Sequence, residues 1–347
     1  MAEFQIPKRQ NHLVWTGIGK FEFQEVDVPT PKEGEVLIKV AASVIDPVDI
    51  AQIGGHMSHF GFGKGPGPHL LGFEGTGTVV AAKGAEAEKY IGKRVAGMSL
   101  RSGFYGQYHI LSVGQFAVLE DHISWTEGAV LYDQPGTAYM LYTVAQRNGA
   151  KAAVNTGANS VLGRCAIRLF KKNGLPLINI VRRAEKVEEL KKWGAEYVLN
   201  SSDADFEQQY KDLTQKLGVN TVFDCIGPDS VSRLVKWSPF GTTVYTYGSI
   251  STYYSENTKP PTFDLGVEDL MSGNKGIRGL VNPVHYSTMK KEEIDAIYKE
   301  INSEFTTTFK IDILDKFELK DYEKAWKKHH DNKSKGIDGK VVILVPQ

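Results

Sequence analysis

Cysteine is almost missing from this chain. Its 347 residues hold two, Cys165 and Cys225, and residues 1–164 hold none. A disulfide-built secreted scaffold is therefore excluded, and both thiols read as small apolar core groups in the cytoplasm or another reducing compartment. Long apolar runs are absent as well. At 41% hydrophobic residues the composition is that of a soluble globular protein without a membrane span. Charge of either sign is not in excess, with 41 Lys+Arg against 41 Asp+Glu and no basic stripe, so a nucleic-acid partner has no electrostatic support. Met1 to Gln10 contains neither the apolar core of a secretory signal nor a clear mitochondrial targeting segment. The length exceeds what one core usually carries and predicts two domains.

A dinucleotide-type turn is present, although two of its three glycines are not. Val154-Asn155-Thr156-Gly157-Ala158-Asn159-Ser160-Val161-Leu162-Gly163 reads as a strand, a small-residue turn and a helix start. The positions of G-x-G-x-x-G fall on Ala158, Ser160 and Gly163. Small residues let the backbone approach a pyrophosphate, whose charge the free amides of a helix N-terminus hold. A strand-turn-helix that binds no nucleotide has the same local pattern. About 20 residues past such a turn, an acid accepts a free ribose 2′-hydroxyl and an arginine a 2′-phosphate. Here that position is Arg182-Arg183, with no acid before Glu185, which points to NADPH. Helical segments then alternate with Thr221–Gly227 and Thr243–Gly248. This is the pattern of a doubly wound parallel α/β sheet whose strand-end glycines, Gly227 and Gly248, face a ligand.

Residues up to about 125 are of a different kind: short strands such as 35–40, 76–82 and 94–97, punctuated by glycine. The tail at 339–345 returns to that character, so a split β-rich domain encloses the parallel-sheet domain. Gly54 to Pro68, rich in glycine and histidine, reads as a surface loop or a binding lid.

These residues resemble the medium-chain dehydrogenase/reductase superfamily over almost the full chain. The resemblance rests on Gly34-Glu35-Val36-Leu37-Ile38-Lys39-Val40, Leu71-Gly72-Phe73-Glu74-Gly75-Thr76-Gly77, Thr137-Ala138-Tyr139 and Gly339-Lys340-Val341-Val342. The run 177–183 with Gly194 to Asn200 is most similar to the zinc-free quinone oxidoreductases and 2-enoyl thioester reductases. The resemblance implies a GroES-like β-rich substrate domain at 1–126 and 306–347 and a Rossmann-type coenzyme domain at 127–305. It places Thr137 beside the cofactor and lets Gly157, Ala158, Asn159, Ser160, Val161, Leu162 and Gly163 cradle the pyrophosphate. Arg182 and Arg183 take the 2′-phosphate, Gly227 and Gly248 border the nicotinamide, and the backbone of Gly279, Leu280 and Val281 meets its carboxamide. A homodimer and a small-molecule substrate are implied too.

No metal is expected. Where zinc members carry a ligating cysteine and histidine, this chain has Asp46 and Phe73, and a four-cysteine lobe is impossible in residues 1–164. His56, His59 and His69 read as solvated loop histidines. Hydride delivery to an acceptor that is already electron-poor, a quinone or an activated alkene such as an enone or enoyl thioester, then fits. The tyrosine that enoyl thioester reductases carry after Asn-Pro-x-Asp falls on Met57, beyond Asp46-Pro47-Val48-Asp49. His56, His59, Tyr105 or solvent is left to supply a proton. A catalytically idle relative, kept as a structural or regulatory subunit and still holding NADPH, is the alternative.

Overall fold

The computed structural model describes residues 4–58, 61–64, 68–99, 103–255 and 262–346. His59 lies outside them. The chain forms two compact units. Unit 1 comprises residues 1–133, 291–305 and 311–347, and unit 2 comprises residues 134–290 and 306–310.

Strands β1 (Arg9–Gly17), β2 (Lys20–Asp27) and β3 (Glu35–Val44) lead into helix α1 (Pro47–Ile53). Then come β4 (His69–Leu70), β5 (Glu74–Lys83), α2 (Ala85–Glu88), β6 (Arg94–Met98), β7 (Tyr108–Ser112), β8 (Phe116–Val118) and α3 (Trp125–Gly128). Unit 2 runs through α4 (Asp133–Arg147), β9 (Ala153–Asn155), α5 (Val161–Lys172), β10 (Leu177–Val181), α6 (Glu185–Lys192) and β11 (Tyr197–Asn200). It continues with α7 (Phe206–Leu217), β12 (Thr221–Asp224), α8 (Pro228–Trp237), β13 (Thr243–Thr246), α9 (Ile250–Tyr253), α10 (Val267–Met271), β14 (Gly276–Gly279) and α11 (Asn282–Tyr286). The chain closes unit 1 with α12 (Lys291–Ser303), β15 (Ile313–Glu318), α13 (Tyr322–Ser334) and β16 (Lys340–Leu344).

Unit 1 is the β-rich body. Its larger sheet has the order β15-β16-β3-β5-β6-β8, with β7 also paired to β3. β3 is buried almost throughout, because Val36, Ile38 and Val40 enter the main core while Leu37 packs with Val80 and Tyr108 on the other face. That explains its nearly continuous apolar sequence, interrupted at Lys39 and Ser43, where a half-exposed strand would alternate. The tail strand β16 lies antiparallel to β3, pairing Val342 with Val44, and so completes a body begun some 300 residues earlier. The unit boundaries fall at 133/134, 290/291, 305/306 and 310/311, whereas the sequence reading places them at 126/127 and 305/306. Helix α12 accounts for the later shift: Tyr298 Oη donates to Tyr132 O at 3.3 Å, and Asn302 Nδ2 to Val118 O at 3.3 Å, both within unit 1.

Unit 2 holds a six-stranded parallel sheet of order β11-β10-β9-β12-β13-β14. Chain order reverses between β9 and β12, and ligands of doubly wound sheets bind outside the carboxyl ends of the strands at that reversal. The central strands are buried from end to end, Leu177–Val181 and Thr221–Asp224 included. Helices on either side are fixed by local chemistry. Ser160 caps α5, and its hydroxyl accepts the Gly163 N–H at 3.1 Å. Gly218 ends α7 at φ 64°, where a Cβ would be strained. Among the described residues no helix is long and apolar enough to cross a membrane.

Candidate functional site

The carboxyl ends of the unit 2 strands carry the cofactor-type features. Gly157 turns the chain at φ 61°, and a Cβ there would stand 2.7 Å from Cys225 Sγ, so the turn rests directly on the end of β12. The sequence pattern put the first motif glycine at 158; the residue that needs left-handed freedom is its neighbour Gly157. Ala158 is buried with an ordinary side chain. Gly163 is required for another reason, since a Cβ would lie 2.2 Å from Ala158 O. The alanine and the serine thus replace glycines at no steric cost, and the serine adds a helix cap. Asn159 is half-buried, while Val161 and Leu162 anchor the first turn of α5 in the core.

Neighbouring strand ends are bared in the same way. After β12, Gly227 has φ 135°, and a Cβ there would meet Ser251 Oγ at 2.4 Å. Asp224 organises that turn. Its Oδ1 accepts the Ile226 and Gly227 N–H groups at 3.0 and 2.9 Å, and its Oδ2 accepts the Ser230 hydroxyl at 2.5 Å. Burial pushes this carboxyl upward against those donors. Gly248, after β13, packs 3.3 Å from Cys225 Cβ if given a Cβ, and Gly279 at the end of β14 opens onto free space. Burial also raises the Cys225 thiol to about 12, which leaves it an inert packing group.

At the far end of the row, Arg182 is exposed and Arg183 half-exposed immediately beyond β10. Ser202 Oγ donates to Arg182 O at 2.7 Å, bringing the end of β11 against the arginines. The sequence reading missed Ser202; its one signal was a place just past Asn200. Thr137, early in α4, and the 279–281 stretch are brought together through a residue also missed, Asn282. Its Nδ2 donates to Thr137 Oγ1 at 2.9 Å across 145 positions of sequence.

Unit 1 carries a buried polar cluster built on α1. Asp46 precedes the helix, Pro47 opens it, and the Asp46 N–H donates to Asp49 Oδ2 at 2.9 Å. Asp49 Oδ1 accepts the Phe73 N–H at 3.0 Å. The sequence reading offered Tyr105 as a proton donor. The structure corrects this: Tyr105 is fully buried, and its hydroxyl stands 3.0 Å from both Asp49 Oδ2 and Val44 O, which share its one proton. A buried hydroxyl so engaged cannot reach a substrate. Met57 is buried as well, whereas His56 is half-buried in the turns after α1.

Burial, with Asp46 adding to it, raises Asp49 to about 7 despite its three donors. A raised carboxyl stabilises the fold fully below its unfolded value near 4 and loses that contribution as pH rises through 7. Chemical denaturation across pH 4 to 8 is expected to show that fall, and Asp49→Asn to flatten it. Tyr105→Phe is expected to cost about 1–2 kcal/mol of stability while leaving turnover intact. A hundredfold loss of turnover in that variant would restore the proton-donor role.

Glu74 and Lys340 complete the cluster. Glu74 Oε1 accepts the Tyr132 and Asp133 N–H groups at 2.7 and 2.8 Å, and burial beside Asp46 drives its carboxyl well up. Lys340, delivered by β16, sets its ammonium against Asp46 Oδ1. Asp46, Glu74 and Asp133 each offer an oxygen, all within 4.8 Å of one another.

Two family models match the chain: the alcohol dehydrogenase GroES-like domain over residues 32–130 and the zinc-binding dehydrogenase domain over residues 161–297. A mitochondrial enoyl-[acyl-carrier-protein] reductase of Arabidopsis thaliana is 30% identical over 227 residues. The match spans 63% of this chain and 59% of that relative, less than two thirds of the relative's own length. A structure from Mesorhizobium loti described as an NADPH:quinone reductase is 26% identical and covers 98% of this chain and 100% of its own, with a TM-score of 0.81. A mycobacterial protein complexed with NADPH shares the fold at a TM-score of 0.74 and 20% identity, covering 96% of this chain and 99% of its own.

Zinc, which one of these models names, does not fit the residues present. The three clustered donors are carboxylates, Phe73 offers none, and the Lys340 ammonium already neutralises Asp46 at their centre. No step is therefore routed through a metal. The two unit architectures, the strand order and the matched models agree: this chain belongs to the medium-chain dehydrogenase/reductase superfamily.

Proposed function

We propose that this protein is a zinc-independent, NADPH-dependent reductase acting on quinones or activated alkenes. The observation that carries the cofactor choice is the pair Arg182 and Arg183 at the carboxyl end of β10, with no acidic residue before Glu185. When bound, the nicotinamide supplies a hydride; the protein supplies its seat. The Gly157–Gly163 turn and the Ser160-capped start of α5 would hold the pyrophosphate, and the arginines the 2′-phosphate. Gly227, Gly248, Gly279, Leu280 and Val281 would border the nicotinamide half, with Gly279 opening onto free space.

Acceptors that are already electron-poor need no Lewis acid, because their own oxygen takes the developing charge. The likeness to enoyl-[acyl-carrier-protein] reductases and to an NADPH:quinone reductase supports that substrate class. With Tyr105 and Met57 buried, His56 or solvent is left to supply the proton. The same burial favours the second reading, an idle subunit that retains NADPH.

One panel separates the two readings. NADPH oxidation is followed with quinones, enones and enoyl thioesters, beside thermal shifts with NADPH and NADH. Turnover of at least one class is expected, with a stabilisation of about 2.7 kcal/mol at NADPH 100 times above its dissociation constant. Binding without any turnover would leave only the idle subunit, and no shift with either nucleotide would end both readings.

A further inference from the structure

We propose that Asn282 is the residue through which this chain reads the carboxamide of a nicotinamide, its Oδ1 accepting a hydrogen bond from the carboxamide N–H. The proposal rests on the nicotinamide reading above and goes beyond it. Asn282 is only 6% exposed and follows directly on Gly279-Leu280-Val281, at the start of α11. Its side-chain amide is oriented from one side, where Nδ2 donates to Thr137 Oγ1 at 2.9 Å. The helix beneath is tied down at its other end, where Tyr286 Oη donates to Gly136 O at 2.8 Å. Both tethers reach the start of α4, so the amide stands at a fixed place beyond the carboxyl end of β14.

The opposite atom, Asn282 Oδ1, is buried and accepts no hydrogen bond within the protein. Buried amide oxygens are nearly always paired, and leaving one unpaired costs stability unless a ligand pairs it. The required partner is a hydrogen-bond donor, because an anion or another carbonyl would be repelled. Along the sheet, the strand ends from the phosphate-type turn at β9 run through Gly227 and Gly248 to Gly279, where a missing Cβ leaves open space. A nicotinamide laid along that row ends beside Asn282, and its carboxamide is the group there with N–H bonds to give. The backbone of 279–281 offers donors and acceptors to any planar ring; a side-chain acceptor selects the amide.

The experiment compares NADP+ with its 3-acetylpyridine analogue, which keeps the carbonyl and lacks the N–H, using calorimetric affinity rather than turnover. Wild-type protein is expected to bind NADP+ about tenfold more tightly. In Asn282→Leu, of similar volume, that preference is expected to fall below about twofold. Thermal unfolding without nucleotide checks that the variant folds. An equal affinity of wild type for the two nucleotides overturns the proposal without any variant being needed. A tenfold gap that survives Asn282→Leu overturns it too, while leaving the nicotinamide reading intact. Equal weakening of both nucleotides in the variant shows instead that the amide faces the other way, donating to the carbonyl, and also overturns it. Binding of neither nucleotide by wild type removes this inference and the cofactor reading together.

Discussion

Replacing Arg182 and Arg183 together with alanine is expected to weaken NADPH binding by roughly 30- to 100-fold and to leave NADH binding within about twofold, as read by calorimetry or thermal shift. Only NADPH carries the 2′-phosphate that two guanidinium groups can grip with paired N–H donors. The site is ready for it. Arg182 is exposed and makes no side-chain hydrogen bond or ion pair among the described residues. Arg183 Nε lies 3.5 Å from Glu185 Oε1, with the two side chains 36% and 67% exposed, so that contact is a weak, screened one. The loop between them is held in place, as Ser202 Oγ donates to Arg182 O and the Ser201 N–H to Val181 O at 2.7 Å. Added salt should narrow the NADPH advantage, because the contact is at the surface. Unchanged affinity for NADPH in the double variant would end the argument for that cofactor.

Lys340→Met is expected to cost about 3–5 kcal/mol of stability in chemical denaturation, the largest single-residue loss anticipated in unit 1. Lys340 is 4% exposed and Asp46 fully buried. Methionine matches the stem of the side chain, so packing is preserved and the loss is electrostatic. Without the ammonium, the Asp46 carboxylate sits beside Glu74 and Asp133 and has lost its Lys340 partner. Lys340 is raised by Asp46 against its own desolvation, so its contribution is present at neutral pH and is lost only as pH rises through that raised value. Adding Asp46→Asn to Lys340→Met should recover much of the loss, because the unpaired charge goes with it. A double variant no more stable than the single one would mean that Lys340 matters through its shape.

The two arms of the molecule differ in how far their sequence could be read. In unit 2 the turn, the arginines and the strand-end glycines are one continuous local grammar. Each residue acts through its own backbone conformation or the helix it begins, so neighbours in sequence suffice to assign it. The glycine the turn requires is Gly157 rather than position 158, because Gly157 stands at φ 61° and rests on the Cys225 side chain. Asn282 carried no local signal, and Ser202 only its place just past Asn200. Their meaning comes from Thr137, 145 positions away, and from the backbone at Arg182, 20 away.

Unit 1 behaved in the opposite way. Asp46-Pro47-Val48-Asp49 could be read as the place of a missing zinc ligand, yet nothing nearby foretold a buried ion pair with Lys340, 294 residues on. Tyr105 stood as a candidate acid only because the tyrosine expected after Asp46-Pro47-Val48-Asp49 falls on Met57. Tertiary packing instead enclosed it between Asp49 and Val44.

The sequence by itself determined the fold class, the split of the chain into a β-rich body and a parallel-sheet domain, and the cofactor-type turn. These depend on periodicity, glycine conformation and capping, which act over a few residues. Only the tertiary structure decided which polar groups are buried, which of them are paired, and therefore which remain able to meet a ligand. Desolvation and Coulomb energies depend on distance through space, and that distance is fixed when β16 and β3, or α11 and α4, come together.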